Sequence, residues 1–261
     1  MLKFSEANAK TKKLYKVEAL SEWLTNKRKI YSLDLLSGYS CPYANECLSK
    51  ATPTGEISAA GNPRLKIVDG KNTKFRCFSA SQEVKNPNVY KSRKHNFDML
   101  RQSQNMDLLL MDSMPKDTGI VRIHVAGDFF NADYMWAWWL TAQENPNILF
   151  YAYTKSLRYW IDIPNEMPIL DNFVLTASYG GRSDNQIDEL GFRSAKVVFS
   201  EAEAEALGLE IDHDDSHAAI PALRNQDFAL LIHGVQPKGS DASKALSALK
   251  GVGSYSRAVA V

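Results

Sequence analysis

The sequence predicts an α/β fold: a mostly parallel sheet of about six strands, curled into a partial or TIM-like barrel with flanking helices. Three observations lead to this prediction. Six short apolar runs are rich in β-branched and aromatic residues, helix-like segments separate several of them, and no repeat or linker divides the chain. Strands that alternate with helices form parallel sheets, and six or more such strands can curl toward a barrel.

The apolar runs are short, and their β-branched and aromatic content favours buried strands over helices. They cover residues 30–37, 120–128, 148–156, 172–178, 195–200 and 228–234. Short polar residues that can cap a helix precede three of the intervening segments. These segments are 134–145 after Asn131 or Asp133, 201–208 after Ser200, and 242–251 after Ser240 or Asp241. Residues 86–112 contain two further helical pieces.

Length and composition predict one domain over residues 1–261, with an N-terminal extension at about 1–29 and a cysteine loop region at 38–80. The chain is 44% hydrophobic and 23% charged, which is typical of a folded globular protein. A formal net charge of +1 gives no overall reason to expect nucleic acid or membrane as a partner. No apolar run is long enough to span a bilayer, and the polar, lysine-rich start lacks the apolar middle of a signal peptide. We therefore expect a cytoplasmic protein whose thiols stay reduced.

Polar side chains follow several of the predicted strands at the point where the apolar run ends. In parallel α/β folds the carboxyl ends of the strands line the functional site. The sequence therefore predicts that five side chains point into one mouth: His124, Asp128, Lys155, Ser178 and Arg182. Lys155, Ser178 and Arg182 are the predicted ligand-binding residues, with Arg182 in a glycine-containing turn suited to an anion.

The chain has three cysteines, Cys41, Cys47 and Cys77, in the predicted cysteine loop region. An odd count excludes complete disulfide pairing. Three thiolates suit an iron–sulfur cluster with one iron left for another ligand. Zinc with a histidine as fourth ligand is the alternative, although structural zinc sites usually have a second close cysteine pair. Unrelated buried thiols are a further alternative.

Six segments resemble the bacteriophage family known as the gene product eighty-eight family. They are "GYSCPYANEC", "FRCFSASQE", "RIHVAGDFFNADYMWAW", "FYAYTKSL", "LTASYGGR" and "EIDHDDSHA", and together they span most of residues 31–240. The resemblance implies a phage-encoded protein, in the host cytoplasm, that carries Cys41, Cys47 and Cys77 as a triad. The family is largely uncharacterised, so the resemblance implies no particular reaction.

A looser likeness is to radical S-adenosylmethionine enzymes, which also carry three cysteines after the first strand of a partial α/β barrel. The segment "AGDFF" at 126–130 would then correspond to the turn that holds the methionine part of their cofactor. The spacing here is C-x(5)-C with a distant third cysteine, whereas those enzymes have a compact C-x(3)-C-x(2)-C pattern. This difference argues against S-adenosylmethionine as a second cofactor.

Taken with the resemblance, the cysteines predict a [4Fe–4S] cluster, with zinc as the alternative metal. Asp128 or His124 is the candidate fourth ligand, or the fourth iron stays open. One hypothesis is a redox or radical enzyme that acts on an unidentified small molecule or exchanges electrons with a donor. The other is a binding protein for nucleic acid or a host factor, in which the cluster or a zinc ion is structural. Whether the protein is an enzyme stays open, since no nucleophile elbow or dinucleotide fingerprint is present.

Two further segments allow both a functional and a structural interpretation. The basic segment 85–97 includes Lys91, Arg93 and Lys94, which could contact nucleic-acid phosphates or simply form a solvated helix face. The segment "IDHDDSHA" at 211–218 could hold a divalent metal if helical, or could be a capped acidic turn.

Overall fold

An eight-stranded sheet forms the centre of the protein in the computed structural model, which describes residues 1–163 and 168–249. The strands described are β1 (Phe4–Glu6), β2 (Lys29–Leu33), β3 (Ser49–Ile57), β4 (Pro63–Asp69), β5 (Thr118–Ile123), β6 (Leu149–Thr154), β7 (Phe173–Ser178), β8 (Ser194–Val198), β9 (Glu210–Ile211) and β10 (Phe228–Leu231). The order across the main sheet is β1-β2-β5-β6-β7-β8-β10-β9. Strands β3 and β4 form a separate antiparallel pair.

The helices connect and cover these strands. They are α1 (Phe78–Lys85), α2 (Pro87–Gln102), α3 (Met106–Ser113), α4 (Ala132–Glu144), α5 (Leu157–Ile161), α6 (Asn185–Leu190), α7 (Glu201–Ala206), α8 (Ser216–Ala219) and α9 (Asp241–Ala248). Short 3-10 helices span Thr11–Lys16, Glu18–Lys27 and Pro221–Leu223.

All six predicted strands are confirmed, and they form the centre of the sheet in chain order as β2, β5, β6, β7, β8 and β10. Each pairs in parallel with the next. Because every one of them runs in the same direction, their carboxyl ends meet at one edge of the sheet. That edge is where the predicted site residues were expected.

The prediction of a TIM-like barrel is not confirmed, since the described residues form an open sheet. A barrel closes only when its last strand bonds to its first. Here the two outer positions are taken by short strands: the three-residue β1, antiparallel to β2, and the two-residue β9, parallel to β10. The sequence showed no apolar run for either strand.

Apolar side chains cover both faces of the central strands. On one face Val121 and Phe150 belong to a cluster that includes Trp138 of α4, whose side chain is fully buried. On the other face Ile120 and Tyr151 pack in a cluster with Leu14 and Leu20 of the N-terminal 3-10 helices. Burial on both faces explains why the strands read as continuous apolar runs.

Local helix signals in the sequence are also confirmed. The side chains of Asn131, Ser200 and Ser240 each accept a hydrogen bond from a backbone N–H in the first turn of α4, α7 and α9. The predicted end of the last helix at 250–251 lies outside the described residues. Across the described part of the chain, no helix combines the length and apolar character needed to cross a membrane.

Candidate functional site

A cavity of about 750 Å³ is lined by residues from the carboxyl ends of several central strands. Cys41, Cys47 and Cys77 all line it, and all three are free thiols. His124, Asp128, Lys155 and Ser178 line the same cavity. The structure therefore brings together, at one cavity, the three cysteines and four of the five polar residues singled out at strand ends.

Backbone hydrogen bonds attach the cysteine loop to the turn after β7. The N–H groups of Asn45 and Glu46 donate to the carbonyl oxygen of Gly180 at 3.2 and 2.9 Å, and Arg182 N–H donates to the Tyr43 carbonyl at 2.9 Å. Tyr43, Asn45 and Glu46 lie between Cys41 and Cys47 in the chain. These three bonds therefore hold the loop that carries the first two thiols against the turn after β7. Arg182 serves this contact through its backbone. Its side chain is exposed, and Arg182 is not among the residues that line the cavity.

The third cysteine is positioned by a different set of contacts. Cys77 directly precedes α1, and its N–H donates to the Ser49 hydroxyl at 3.3 Å. The neighbouring Arg76 is held on both sides: its N–H donates to the Gln236 side chain at 2.7 Å, and its guanidinium pairs with Asp69. Cys77 therefore follows the same open end of the β3–β4 hairpin that Cys47 precedes, since Ser49 pairs with Asp69 at that end.

Burial raises the pKa of the Cys41 and Cys47 thiols, that of Cys47 to about 11. Lys155 opposes this shift at Cys47, while the negative charge of Asp128 adds to it. Both cysteines are thus neutral thiols at neutral pH in the metal-free protein. A coordinating metal would displace their protons.

Asp128 uses its carboxylate to shape the adjacent turn. Its oxygens accept hydrogen bonds from the Thr154 hydroxyl at 2.6 Å, the Lys155 N–H at 2.9 Å and its neighbour Phe129 N–H at 2.8 Å. The Lys155 ammonium in turn donates to the Ser178 hydroxyl and the Tyr179 carbonyl, both at 2.6 Å. These bonds connect the ends of β5, β6 and β7 into one network.

His124 has an unusual backbone conformation and one nitrogen without a partner. Its φ is +68°, a left-handed conformation that is uncommon for a residue with a side chain. Nε2 lies 3.0 Å from the Tyr134 hydroxyl, whereas Nδ1 is buried and has no hydrogen-bond partner. Burial lowers the pKa of His124 to about 3, so the imidazole is neutral at neutral pH. A neutral ring with a spare nitrogen is suited to bind a metal.

A further charged group lines the cavity at Asp215, which the sequence indicated only as part of the segment 211–218 and not as part of the strand-end site. Asp215 is fully buried and forms ion pairs with Lys10, at 2.5 Å, and with Arg122. The Tyr151 and Tyr153 hydroxyls each donate to Asp215 at 3.2 Å. Burial would raise the pKa of Asp215, but the two cations hold it below its usual value. The sequence contains one signal for this group. Arg122, Tyr151 and Tyr153 place polar atoms within two otherwise apolar predicted strands.

The segment 211–218 is a turn organised by hydrogen bonds. Asp212 accepts a bond from the Asp214 N–H, Asp214 accepts one from the Ser216 N–H, and Asp215 adopts a φ of +70°. In the part of the chain that the structure describes, no three His, Cys, Asp or Glu side chains form a group that could hold a metal ion. The structure thus supports the acidic-turn interpretation of this segment.

The basic segment 85–97 lies mostly on α2, and its three predicted nucleic-acid contacts have different environments. Arg93 is buried and pairs with Glu83 at 3.1 Å, so its guanidinium is not available to a phosphate. Lys94 is exposed and pairs with Asp98, and Lys91 is exposed and donates to the Asn62 side chain. The segment therefore has fewer available cations than its sequence indicates.

Fold and site together define an α/β protein whose cavity at the ends of parallel strands is lined by three free cysteines. The chain belongs to the Gene product 88 family, whose model matches residues 2–249. The Gene 88 protein of Mycobacterium phage L5 is 30% identical over 133 residues, or 47% of this chain and 54% of that protein. The chain thus spans about half the length of the curated relative it matches. No solved structure matches the chain.

Proposed function

We propose that the protein is a phage-encoded iron–sulfur protein in which Cys41, Cys47 and Cys77 bind one cluster, most simply [4Fe–4S], facing the cavity. The observation that carries the proposal is that the close pair Cys41 and Cys47 and the more distant Cys77 line one cavity. When bound, such a cluster supplies one-electron transfer to a ligand beside it. A redox role is favoured over a purely structural one because the cavity is of the size that small-molecule sites have.

The donor types favour a cluster over a single zinc ion, since the three thiolates include no second close cysteine pair of the kind that structural zinc sites use. Zinc requires four donors within about 2.3 Å of one point. Among the described residues no three His, Cys, Asp or Glu side chains form a group that could hold a metal ion, and this applies to the three cysteines as well as to a zinc site. A cluster instead assigns each thiolate to a different iron, so its ligands stand further apart.

His124 is the better candidate for the fourth ligand. Asp128, the other candidate, already accepts three hydrogen bonds, and using it would break the network at the strand ends. His124 has a neutral, buried ring with one nitrogen that lacks a partner. Neither the matching family nor the phage relative supports a likeness to radical S-adenosylmethionine enzymes. We therefore do not propose S-adenosylmethionine as a cofactor.

The test is purification without oxygen, followed by iron, sulfide and zinc analysis and by absorption spectroscopy, with a band expected at about 400 nm. We expect Cys41→Ser, Cys47→Ser and Cys77→Ser each to lose most of the iron and the band. Ser58→Ala, which removes a hydroxyl from the turn between β3 and β4, is the matched control and should keep both. A colourless protein with one zinc and no sulfide would refute the proposal. Iron content unchanged in Cys77→Ser would show that the triad is wrong.

A further inference from the structure

The cavity has a charged floor and an apolar wall, and only the rim near the strand ends is used by the proposed cluster. The floor consists of Arg122 on β5, Tyr153 on β6, Lys10 and Asp215. Arg122 lies within β5, whereas His124 follows the end of that strand, so Arg122 is set back from the strand end. The wall includes Phe75, Phe78, Val197, Leu231, Leu246 and Leu249.

Arg122 is held in one orientation but has hydrogen-bonding capacity left over. Its Nη1 pairs with Asp215, and its guanidinium carbon lies 5.3 Å from the centre of the Tyr153 ring. These two contacts fix the plane of the group. Nε is buried without a hydrogen-bond partner. A fixed guanidinium with an unused donor is prepared to bind a planar or tetrahedral anion.

The charges around the cavity also favour an anion. Among the described residues that line it, five are cationic and two are carboxylates. The cations are Lys10, Arg76, Lys85, Arg122 and Lys155, of which Arg76 is paired with Asp69 outside the lining, and the carboxylates are Asp128 and Asp215. Burial lowers the pKa of His233, which also lines the cavity, to about 4, so this histidine adds no charge at neutral pH.

We propose that this cavity binds a small organic anion, whose charged group lies on Arg122 and Lys10 and whose apolar body packs against the wall around Phe75 and Phe78. The aromatic wall is preformed, since the Phe78 ring lies 4.7 Å from the His233 ring. The role of this ligand as the substrate rests on the proposed function, because the cluster would be its electron partner. Binding of the anion itself requires no cluster.

The test uses two fluorescent probes that share an aromatic body. Anilinonaphthalene sulfonate carries an anionic group, and phenylnaphthylamine is neutral. We expect the sulfonate to bind at one site per chain and more tightly than the neutral probe. Arg122→Gln should weaken sulfonate binding by about tenfold or more, since a charge-assisted hydrogen bond is lost, and should leave the neutral probe within about twofold. Arg64→Gln, at an exposed arginine of β4, is the matched control and should change neither.

Lys10→Gln is the second variant, for the case that Arg122→Gln does not fold. Lys10 lies on the N-terminal segment, outside the sheet, and its removal leaves Asp215 paired with Arg122. We expect the affinity for the sulfonate to fall about threefold, which is the effect of removing one partly exposed charge. The affinity for the neutral probe should not change. The proposal is overturned if a folded Arg122→Gln, or Lys10→Gln in its place, behaves like Arg64→Gln, or if both probes weaken equally.

Iron and sulfide analysis of the same preparations separates this inference from the proposed function. A protein without iron that still shows charge-dependent probe binding would refute the cluster and keep the anion site. A protein with a full cluster that does not discriminate between the two probes would refute the anion site and keep the cluster.

Discussion

Replacing Arg93 with alanine tests whether the basic segment stabilises the fold. Arg93 lies on α2 with a buried guanidinium. Nη1 donates to Glu83 at 3.1 Å and to the Ser79 carbonyl at 3.2 Å, and Nη2 donates to Gln82 at 3.0 Å. These bonds fasten α2 to α1, the helix that begins directly after Cys77.

The substitution leaves a buried carboxylate without its cation. Glu83 is fully buried and would keep only the N–H and hydroxyl of Ser37, at 3.0 and 2.8 Å. Removing one partner of a buried ion pair costs about 3 kcal/mol or more. For a chain of this length, that loss lowers the melting temperature by roughly 6–12 °C.

Lys94→Ala is the matched control because Lys94 is the next residue on the same helix. Its pair with Asp98 is exposed, and an exposed i,i+4 pair contributes only a few tenths of a kcal/mol. Urea denaturation and thermal melting of both variants, each compared with the wild type, measure the difference. Equal destabilisation by Arg93→Ala and Lys94→Ala would refute the structural role assigned to Arg93.

Two further predictions concern the turn beside the cysteine loop and the acidic turn. Gly127→Ala should destabilise the protein by about 2 kcal/mol or more and lower its iron content, because Gly127 has a φ of +96° and an added Cβ would lie 2.6 Å from the Ser40 hydroxyl. Gly61→Ala, at a φ of +73° with no atom within 4 Å, should cost only about 1 kcal/mol and keep the iron, and equal effects in urea denaturation would contradict the close-contact argument. The carboxylates of Asp212 and Glu210 raise the pKa of His217, so its contribution to stability is complete below about pH 6.5 and is lost as the pH rises through its folded-state pKa. His217→Gln should therefore destabilise the protein more at about pH 6 than at about pH 8.5 in urea denaturation, and an equal loss at both pH values would contradict the pairing.

Local and nearest-neighbour features of this protein were predictable from its sequence. The six central strands are buried on both faces, and such strands must be continuous apolar runs. The caps at Asn131, Ser200 and Ser240 depend only on the next few residues, so they too could be read directly. The convergence of Lys155 and Ser178 followed from parallel strands, whose carboxyl ends lie at one edge.

Features that depend on distant or weak signals were decided by the tertiary structure. The strands at the edges of the sheet, β1 and β9, are only three and two residues long, which is too short for an apolar pattern. For the same reason the sequence could not distinguish an open sheet from a closed barrel.

The charged floor of the cavity depended on pairing across the chain. Arg122 and Asp215 are 93 residues apart, so neither segment by itself indicates that the two charges pair. Arg93 and Lys94 are adjacent and chemically alike, yet one is buried and the other exposed. Residue type determines that a buried charge needs a partner, but only the packing of the chain decides which charges are buried and which partners they meet.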